Sequence, residues 1–228
     1  MAERDHELAG ELAAVARELI GAGDVEATLQ RIVDLAVQVI EGCDHAGISL
    51  VVKGRITTPA QTDPPVPQMV DRIQNETGEG PCIDAIREHE VFETGDLGQE
   101  RRWPRFSPRV VEQTEVRSAL AMRLFIEEDT MGSLNLYAEA LDAFDEEDRS
   151  VASIFAAHAA VALRGAQRQE ELSQAIDTRD VIGQAKGIIM ARKGVDDATA
   201  FGMLREGSSR MNRKLRDVAQ RVIDEERR

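Results

Sequence analysis

The sequence predicts an α+β domain built on an antiparallel sheet, followed by a long helix and a small C-terminal domain of three helices. Strand-like segments that alternate apolar and polar residues are joined in hairpins and flanked by amphipathic helices, an arrangement typical of an α+β domain. From about residue 145 the apolar residues recur only at helical spacings. We therefore predict domains at 5–165 and 166–228, with a helical or coiled-coil connector at about 145–193.

The two parts differ in charge. The 228 residues carry a net charge of −14, yet residues 168–228 hold 13 Lys and Arg against 11 Asp and Glu. Within 179–216 the balance is 9 basic against 4 acidic residues. An acidic folded domain that carries a basic module indicates an interaction surface for an anionic partner in that module.

Composition and motifs argue against several classes of protein. Cys43 and Cys82 are too few for a disulfide framework and lack metal-ligand spacing. The N-terminus is acidic where a signal peptide would be basic, and the longest apolar run, 151–163, is too short to span a bilayer. We expect a cytoplasmic protein without membrane contact, metal or cofactor.

The first domain is predicted to open with two amphipathic helices within 6–41. Asp24 is the predicted N-cap of the second, which turns its apolar residues from Leu29 to Ile40 inward. A strand at 46–52, a turn at Lys53-Gly54 and a partner strand beginning at 55–60 follow.

Farther along, prolines at 64, 65 and 67 precede a helix predicted at about 67–76. A glycine-rich loop at 78–82 leads into the next helix. Strands are predicted at 118–126 and 131–139, and a long helix begins near Asp145.

Several segments of this domain resemble a bacterial GAF domain, and the resemblance covers about residues 5–165. They are GEGPC (78–82), GDL (95–97), RWPRF (102–106), VRSALAMRL (116–124), GSLNLYAE (132–139) and AFDEED (143–148). The resemblance implies an antiparallel sheet with helices on its faces. It also implies a pocket that binds a small molecule in some relatives, while others serve only as dimerisation scaffolds, so the ligand is unknown.

No catalytic motif stands out in this domain. GEGP lacks the GK[ST] of a phosphate-binding loop, and HExxH and GxSxG are absent. Cys82 is compatible with a sensor thiol, but a buried structural cysteine is favoured. Trp103 is compatible with ligand stacking, but packing over the sheet is favoured. We therefore predict that the chain is not an enzyme.

The connector is predicted to be one helix of more than ten turns, because 145–193 contains no proline and only Gly165 before residue 183. A break at about 165–169 is the alternative. A weak heptad pattern gives the candidate dimer contacts, which are Ile154, Val161, Leu172 and Ala175. The stalk of a homodimer and a solvated linker helix both fit this pattern.

The first helix of the C-terminal domain carries two glycines inside it, Gly183 and Gly187, each costing about 1 kcal/mol relative to alanine. Arg179, Gly183, Lys186 and Met190 form one stripe beside the apolar face. Glycines in such a place indicate that something approaches the helix backbone closely. A solvated basic face and a nucleic-acid surface remain equal alternatives on these grounds.

The second and third helices complete a small core. The first helix should end at Gly194, and Asp196 should cap the second, which turns Ala200, Phe201 and Leu204 inward. Asn212 is predicted to cap the third. That helix is expected to bury Leu215, Val218, Ala219 and Val222.

The segments AKGIIM (185–190), AF (200–201), LR (204–205) and KLRDVA (214–219) resemble an ANTAR domain over about 172–225. The resemblance implies binding of paired mRNA hairpins with six-nucleotide loops, and control by transcription antitermination or related leader-RNA remodelling. By position it assigns eight RNA-facing residues, which are Arg179, Gln184, Lys186, Gly187, Met190, Arg205, Asn212 and Lys214.

Two other functions stay open at this stage. A helix-turn-helix-like DNA-binding factor also has three helices, although 213–216 are too few to supply a groove-reading face. A GAF small-molecule sensor with a protein-interaction tail is the other. Since Phe201 is the only aromatic residue after 168 and is assigned to the core, RNA bases would be held by arginine, methionine and hydrogen bonds.

Overall fold

The computed structural model describes residues 10, 13–19, 21, 23–52, 55–88, 91–126 and 129–226. It divides into two compact units, Met1–Gln167 and Arg168–Arg228. The predicted turn at Lys53-Gly54 lies outside the described residues.

Among the described residues, the first unit is built on a five-stranded sheet in the order β2-β1-β5-β4-β3. Every neighbouring pair is antiparallel, which confirms the predicted fold class. The strands are β1 (His45–Val52), β2 (Arg55–Gln61), β3 (Phe92–Thr94), β4 (Ser118–Ile126) and β5 (Asp129–Ala138).

Residues 13–19 are helical, and the further helices follow in chain order. They are α1 (Val25–Val39), α2 (Val66–Thr77), α3 (Pro81–Glu88), α4 (Ser107–Gln113), α5 (Glu146–Lys193), α6 (Asp197–Met211) and α7 (Leu215–Glu226). The bounds of α5 agree with the uninterrupted helix rather than with a break at 165–169.

Helix α1 begins as predicted, because the Asp24 side chain accepts a hydrogen bond of 2.8 Å from the Ala27 N–H. Its predicted apolar face is buried from Leu29 to Ile40. This face packs with one side of the sheet and with the first-unit part of α5 in a large aliphatic core that includes Phe155.

A second core lies around Trp103, Phe106, Val110 and Tyr137, together with Val70 and Ile73 of α2. Trp103 is 2% exposed and its Nε1–H donates to the Asp84 carboxylate over 2.6 Å. The packing interpretation of this tryptophan is therefore confirmed. Sequence analysis missed β3 and α4, since three and seven residues are too short to establish a period.

The GEGPC loop has a structural explanation. Gly80 has φ +138°, and a Cβ there would lie 2.3 Å from Oε1 of Gln74. That oxygen accepts a hydrogen bond of 3.1 Å from the Cys82 N–H at the start of α3. The glycine thus allows the Gln74 side chain to hold the loop.

In the second unit, the end of α5 and the start of α6 follow the prediction. Gly194 adopts φ +64° directly after α5, and the Asp196 carboxylate accepts a hydrogen bond of 2.8 Å from the Thr199 N–H. The core contains Ala185, Ile189, Ala200, Leu204, Val218, Ala219 and Ile223. Ile223 was missed, whereas Leu215 and Val222 are only partly buried.

The predicted role of Asn212 as the N-cap of α7 is wrong. Asn212 has φ +48° and closes α6, its N–H directed at the carbonyls of Ser208 and Ser209. Asparagine is one of the few residues that adopt the left-handed conformation readily, which suits it to the end of a helix.

Candidate nucleic-acid interface

An open cavity of about 820 Å³ lies in the second unit and is bordered by three of the predicted RNA-facing residues, Arg179, Gln184 and Lys186. This volume falls within the usual range of ligand pockets. The rest of the lining is Ala175, Thr178, Asp180, Ile182, Gly183 and Phe201.

The helical period brings these residues together. Positions 175, 179, 182 and 186 follow one another at spacings of four, three and four, so they share one face of α5. Phe201, near the start of α6, contributes another part of the lining.

The two unusual glycines of α5 face open space among the described residues. A Cβ built on Gly183 or Gly187 would meet nothing within 4 Å, whereas one on Gly207 of α6 would lie 3.4 Å from Cγ1 of Val218. A Cβ on Gly207 would therefore make an ordinary van der Waals contact with α7. Gly183 and Gly187 have no such neighbour, so packing does not explain why glycine stands at these two positions.

Lys186 and Arg179 are the two positively charged residues of the lining, and Asp180 is a negatively charged one. The Lys186 side chain is 22% exposed, and Nζ lies 2.6 Å from Oδ1 of Asp197, a residue that is 68% exposed. Nζ also lies 5.9 Å from the centroid of the Phe201 ring, at the outer limit of a cation–π contact.

The prediction that Phe201 points into the core is wrong. Ala200 and Leu204 are buried, but Phe201 is only half-buried and borders the cavity. Position 201 lies about 100° around the helix from position 200, which places the large ring at the edge of the apolar stripe. Sequence reasoning missed this residue because its apolar character was taken as sufficient for burial.

A second cavity of about 480 Å³ in this unit is lined by residues of α5 together with Ile223 and Glu226 of α7. Gln184 contributes to both cavities, and Gly187 lines the second together with Arg192. Arg192 is paired with Glu226 of α7.

The other predicted RNA-facing residues line neither of these cavities. Met190 is half-buried against the core of the unit, while Arg205 and Lys214 are exposed. Asn212 is exposed at the end of α6. The structure therefore collects Arg179, Gln184 and Lys186 around one cavity and distributes the remaining residues elsewhere.

The first unit contains a buried cluster of polar side chains around Asp71, which is 2% exposed. The Asp71 carboxylate accepts hydrogen bonds from Ser49 at 2.5 Å, Thr58 at 2.8 Å and Gln74 at 2.8 Å. Burial raises the pKa of Asp71 to about 6, and these hydrogen bonds oppose that rise. We refer to these four residues as the Asp71 cluster.

Cys82 lies against this cluster, with Sγ 3.8 Å from Oδ1 of Asp71. The thiol is fully buried, and burial followed by the nearby Asp71 raises its pKa well above the ordinary value. Burial also raises the pKa of Cys43 to about 12. A sensor thiol requires a low pKa and access to solvent, so both cysteines have the properties of structural residues.

Within the described part of the chain, His, Cys, Asp and Glu form no group of three or more able to hold a metal ion. None of the helices described is both long enough and apolar enough to cross a membrane.

Comparison with protein families assigns both parts of the chain. Residues 22–164 match the GAF domain family, and residues 170–223 match the ANTAR domain family. The chain belongs to the GAF family and carries an ANTAR domain. A search of curated proteins finds no significant match.

Solved structures share the fold of the GAF domain at low sequence identity. The GAF domain of an Acinetobacter phosphoenolpyruvate-protein phosphotransferase is 15% identical, with a TM-score of 0.57 over 72% of this chain and 98% of that one. Its counterpart from Coxiella burnetii is 16% identical, with a TM-score of 0.57 over 72% and 96%. A free methionine-R-sulfoxide reductase from Neisseria meningitidis is 19% identical, with a TM-score of 0.53 over 71% and 89%.

The two domains together define the class of protein. An ANTAR domain implies RNA binding and antitermination, and a GAF domain ahead of it indicates sensory regulation. This architecture is typical of non-enzymatic regulators, although proteins with the same GAF fold include the reductase above. The GAF–ANTAR prediction is confirmed.

Proposed function

We propose that this GAF–ANTAR protein binds two adjacent mRNA hairpins with six-nucleotide loops through the cavity at Arg179, Gln184 and Lys186. Binding stabilises the hairpins against a competing terminator or ribosome-blocking fold. The observation that carries the proposal is the open cavity beside Gly183, whose missing side chain has no packing role inside the unit.

The cavity has the chemistry that an RNA loop requires. Arg179 and Lys186 supply positive charge for phosphates, and the Gln184 amide offers both a donor and an acceptor to a base edge. RNA is recognised by sequence mainly where bases are unpaired and can leave the stack. A concave site suits such a base better than it suits a continuous duplex.

The surface of α7 argues against the DNA-binding alternative. Its exposed residues are two arginines, Arg216 and Arg221, against four carboxylates, Asp217, Asp224, Glu225 and Glu226. A recognition helix must insert its exposed face between two phosphate backbones. This excess of carboxylates on the surface of α7 would be repelled by the duplex.

The test compares three ligands at one salt concentration. The first is an RNA with two six-nucleotide hairpin loops, which is selected for binding to the full chain from a pool with randomised loops. The second is the same RNA reduced to one hairpin, and the third is duplex DNA of equal length. We expect the two-hairpin RNA to bind tightest. Tighter binding to DNA, or failure of the selection to enrich any RNA, would contradict the proposal.

We also propose that the chain forms a homodimer. Ile154 and Val161 in the first unit are 44% and 63% exposed, and Leu172 and Ile176 in the second are 60% and 61% exposed. Val161 also borders a small apolar groove of about 180 Å³ formed with Ala16, Ala157, His158 and Ala162. Ala175, the other predicted dimer contact, is exposed and borders the cavity at Arg179, Gln184 and Lys186.

Light scattering tests the dimer. We expect the chain to have twice its monomer mass, and Val161→Glu to shift it towards the monomer because a charge would be buried in the contact. Arg164→Glu, an exposed site one helical turn away, is the control. A monomeric wild-type chain at micromolar concentration would refute the dimer.

A role for the GAF domain in gating RNA binding, a small-molecule ligand for it and a cytoplasmic location complete the proposal. The GAF–ANTAR architecture supports the gating role, because it joins a sensory domain to an RNA-binding one.

A further inference from the structure

We infer that Phe201 is a stacking surface for one unpaired RNA base, and that Asp197 occupies the place of an RNA phosphate on Lys186 until that base enters. The inference rests on the proposed function and assigns two residues that the ANTAR resemblance did not include among the RNA-facing ones.

The position of Phe201 supports the stacking role. It is the only aromatic residue after 168, and it is half-buried on the border of an open cavity rather than enclosed in the nearby core. Aromatic rings that border a cationic site are the usual platforms for unpaired bases, because every base has a flat face that can stack.

The wall of the cavity provides room beside that ring. Ala175 and Ile182 give it apolar surface, and Gly183 leaves open the space that a Cβ would fill. A base is flat, apolar on its faces and polar at its edges. The apolar lining suits its faces, while Gln184 and Thr178, which also line the cavity, offer polar groups to its edges.

Lys186 and Asp197 make the same site responsive to a phosphate. The Lys186 ammonium group lies 2.6 Å from a carboxylate oxygen of Asp197 and 5.9 Å from the Phe201 ring centroid. Because Asp197 is 68% exposed, the ion pair is weak and open to exchange in water. An entering nucleotide can place its base against Phe201 and its phosphate on the ammonium group.

The experiment combines protein variants with abasic RNA on the full chain. Wild type and Phe201→Leu are titrated against the selected two-hairpin RNA and against versions that lack the base at one loop position each. We expect Phe201→Leu to weaken binding by about 5- to 100-fold. At one loop position the abasic RNA should bind both proteins equally, because the base that would stack is absent.

Two further variants keep the test independent of folding. Phe201→Tyr retains an aromatic face and should bind within about threefold of wild type. Met203→Leu changes a half-buried residue of the same helix away from the cavity and should leave RNA affinity unchanged. Melting temperatures of all three variants accompany the titrations.

The outcomes separate the inference from the proposed function. If wild type binds the RNA and Phe201→Leu, folded, binds it equally, Phe201 does not stack and only the inference fails. A loss of affinity that persists at every abasic position would also overturn the inference. If Phe201→Leu instead changes the mass of the oligomer in light scattering while RNA affinity stays the same, the cavity contacts a second copy of the chain and the inference also fails.

Discussion

Asp71 in the GAF domain and Lys186 in the ANTAR domain are both ionisable side chains with a close polar partner, but one is enclosed and the other borders an open cavity. Asp71 is enclosed, and the side chains of Ser49, Thr58, Gln74 and Cys82 donate hydrogen bonds to it. Lys186 has an exposed carboxylate as its partner and stands beside open space. Burial makes the ionised form of Asp71 unfavourable, so the fold favours its protonated form, whereas the Lys186 charge has an exchangeable partner and is available to a ligand.

The largest expected effect is the change in stability with pH that arises from Asp71. The folded-state pKa of about 6 lies above the ordinary value of 3.8, so the folded chain binds this proton more tightly than the unfolded chain does. The contribution of Asp71 to the free energy of unfolding is fully present below about pH 4 and is lost as the pH rises through about 6. Two pKa units correspond to about 3 kcal/mol.

Asp71→Asn tests this effect, since it should remove that loss between pH 4 and pH 7. Fluorescence of Trp103, the single tryptophan and a buried residue of the GAF core, reports the unfolding of this domain. The control is Asp63→Asn, which alters an exposed carboxylate. Parallel pH profiles for wild type and Asp71→Asn would show that the cluster does not hold its proton.

The next prediction removes one of the two positive charges at the cavity. Lys186→Met keeps the length of the half-buried side chain, and we expect RNA affinity to fall about tenfold or more. The slope of log affinity against log salt should decrease by about one, as for the loss of one phosphate contact. Lys193→Met, at the end of the same helix and away from the cavity, is the matched control. Equal losses for the two variants would assign binding to net charge alone.

A smaller effect compares two helical glycines. Gly183→Ala should raise the free energy of unfolding of the ANTAR domain by about 0.5–1 kcal/mol, because alanine favours the helix and meets no neighbour. It should also weaken RNA binding several-fold by entering the space that RNA uses.

Gly207→Ala is the comparison, since its added methyl group faces Val218 and not the cavity. Its RNA affinity should stay at the wild-type level. Stronger RNA binding by Gly183→Ala would mean that the space beside this glycine has no role in recognition.

The smallest effect is expected at Asp197. Asp197→Asn releases Lys186 from its carboxylate partner, so RNA affinity should rise two- to threefold at low salt and return to the wild-type value at high salt. Filter binding at two salt concentrations measures the difference. Lower affinity at low salt would show that Asp197 orients Lys186 for RNA instead of competing with it.

Local signals made most of the fold predictable. The alternation of apolar and polar residues identified four strands. The predicted N-caps Asp24 and Asp196 were correct because each side chain accepts a hydrogen bond from its own helix. The short β3 and α4 carried too few residues to show a period.

The errors in the ANTAR domain arose where one residue type serves two positions. Asn212 suits the start of one helix and the end of another, and only the backbone conformation distinguishes them. Phe201 has the character of a core residue, but its place at the edge of the stripe depends on how α5 and α6 pack. Such choices depend on tertiary contacts, which the local sequence does not contain.

Adjacent aspartates at the start of α6 divide two tasks. The Asp196 side chain bonds to Thr199 and caps the helix, a contact that lowers its pKa, while Asp197 reaches Lys186. If the proposed site binds RNA, a substitution at 197 would change the strength of RNA binding and leave the helix cap at Asp196 intact. Selection, or a designer of synthetic riboregulators, would then be able to vary RNA affinity at this residue separately from the stability of the domain.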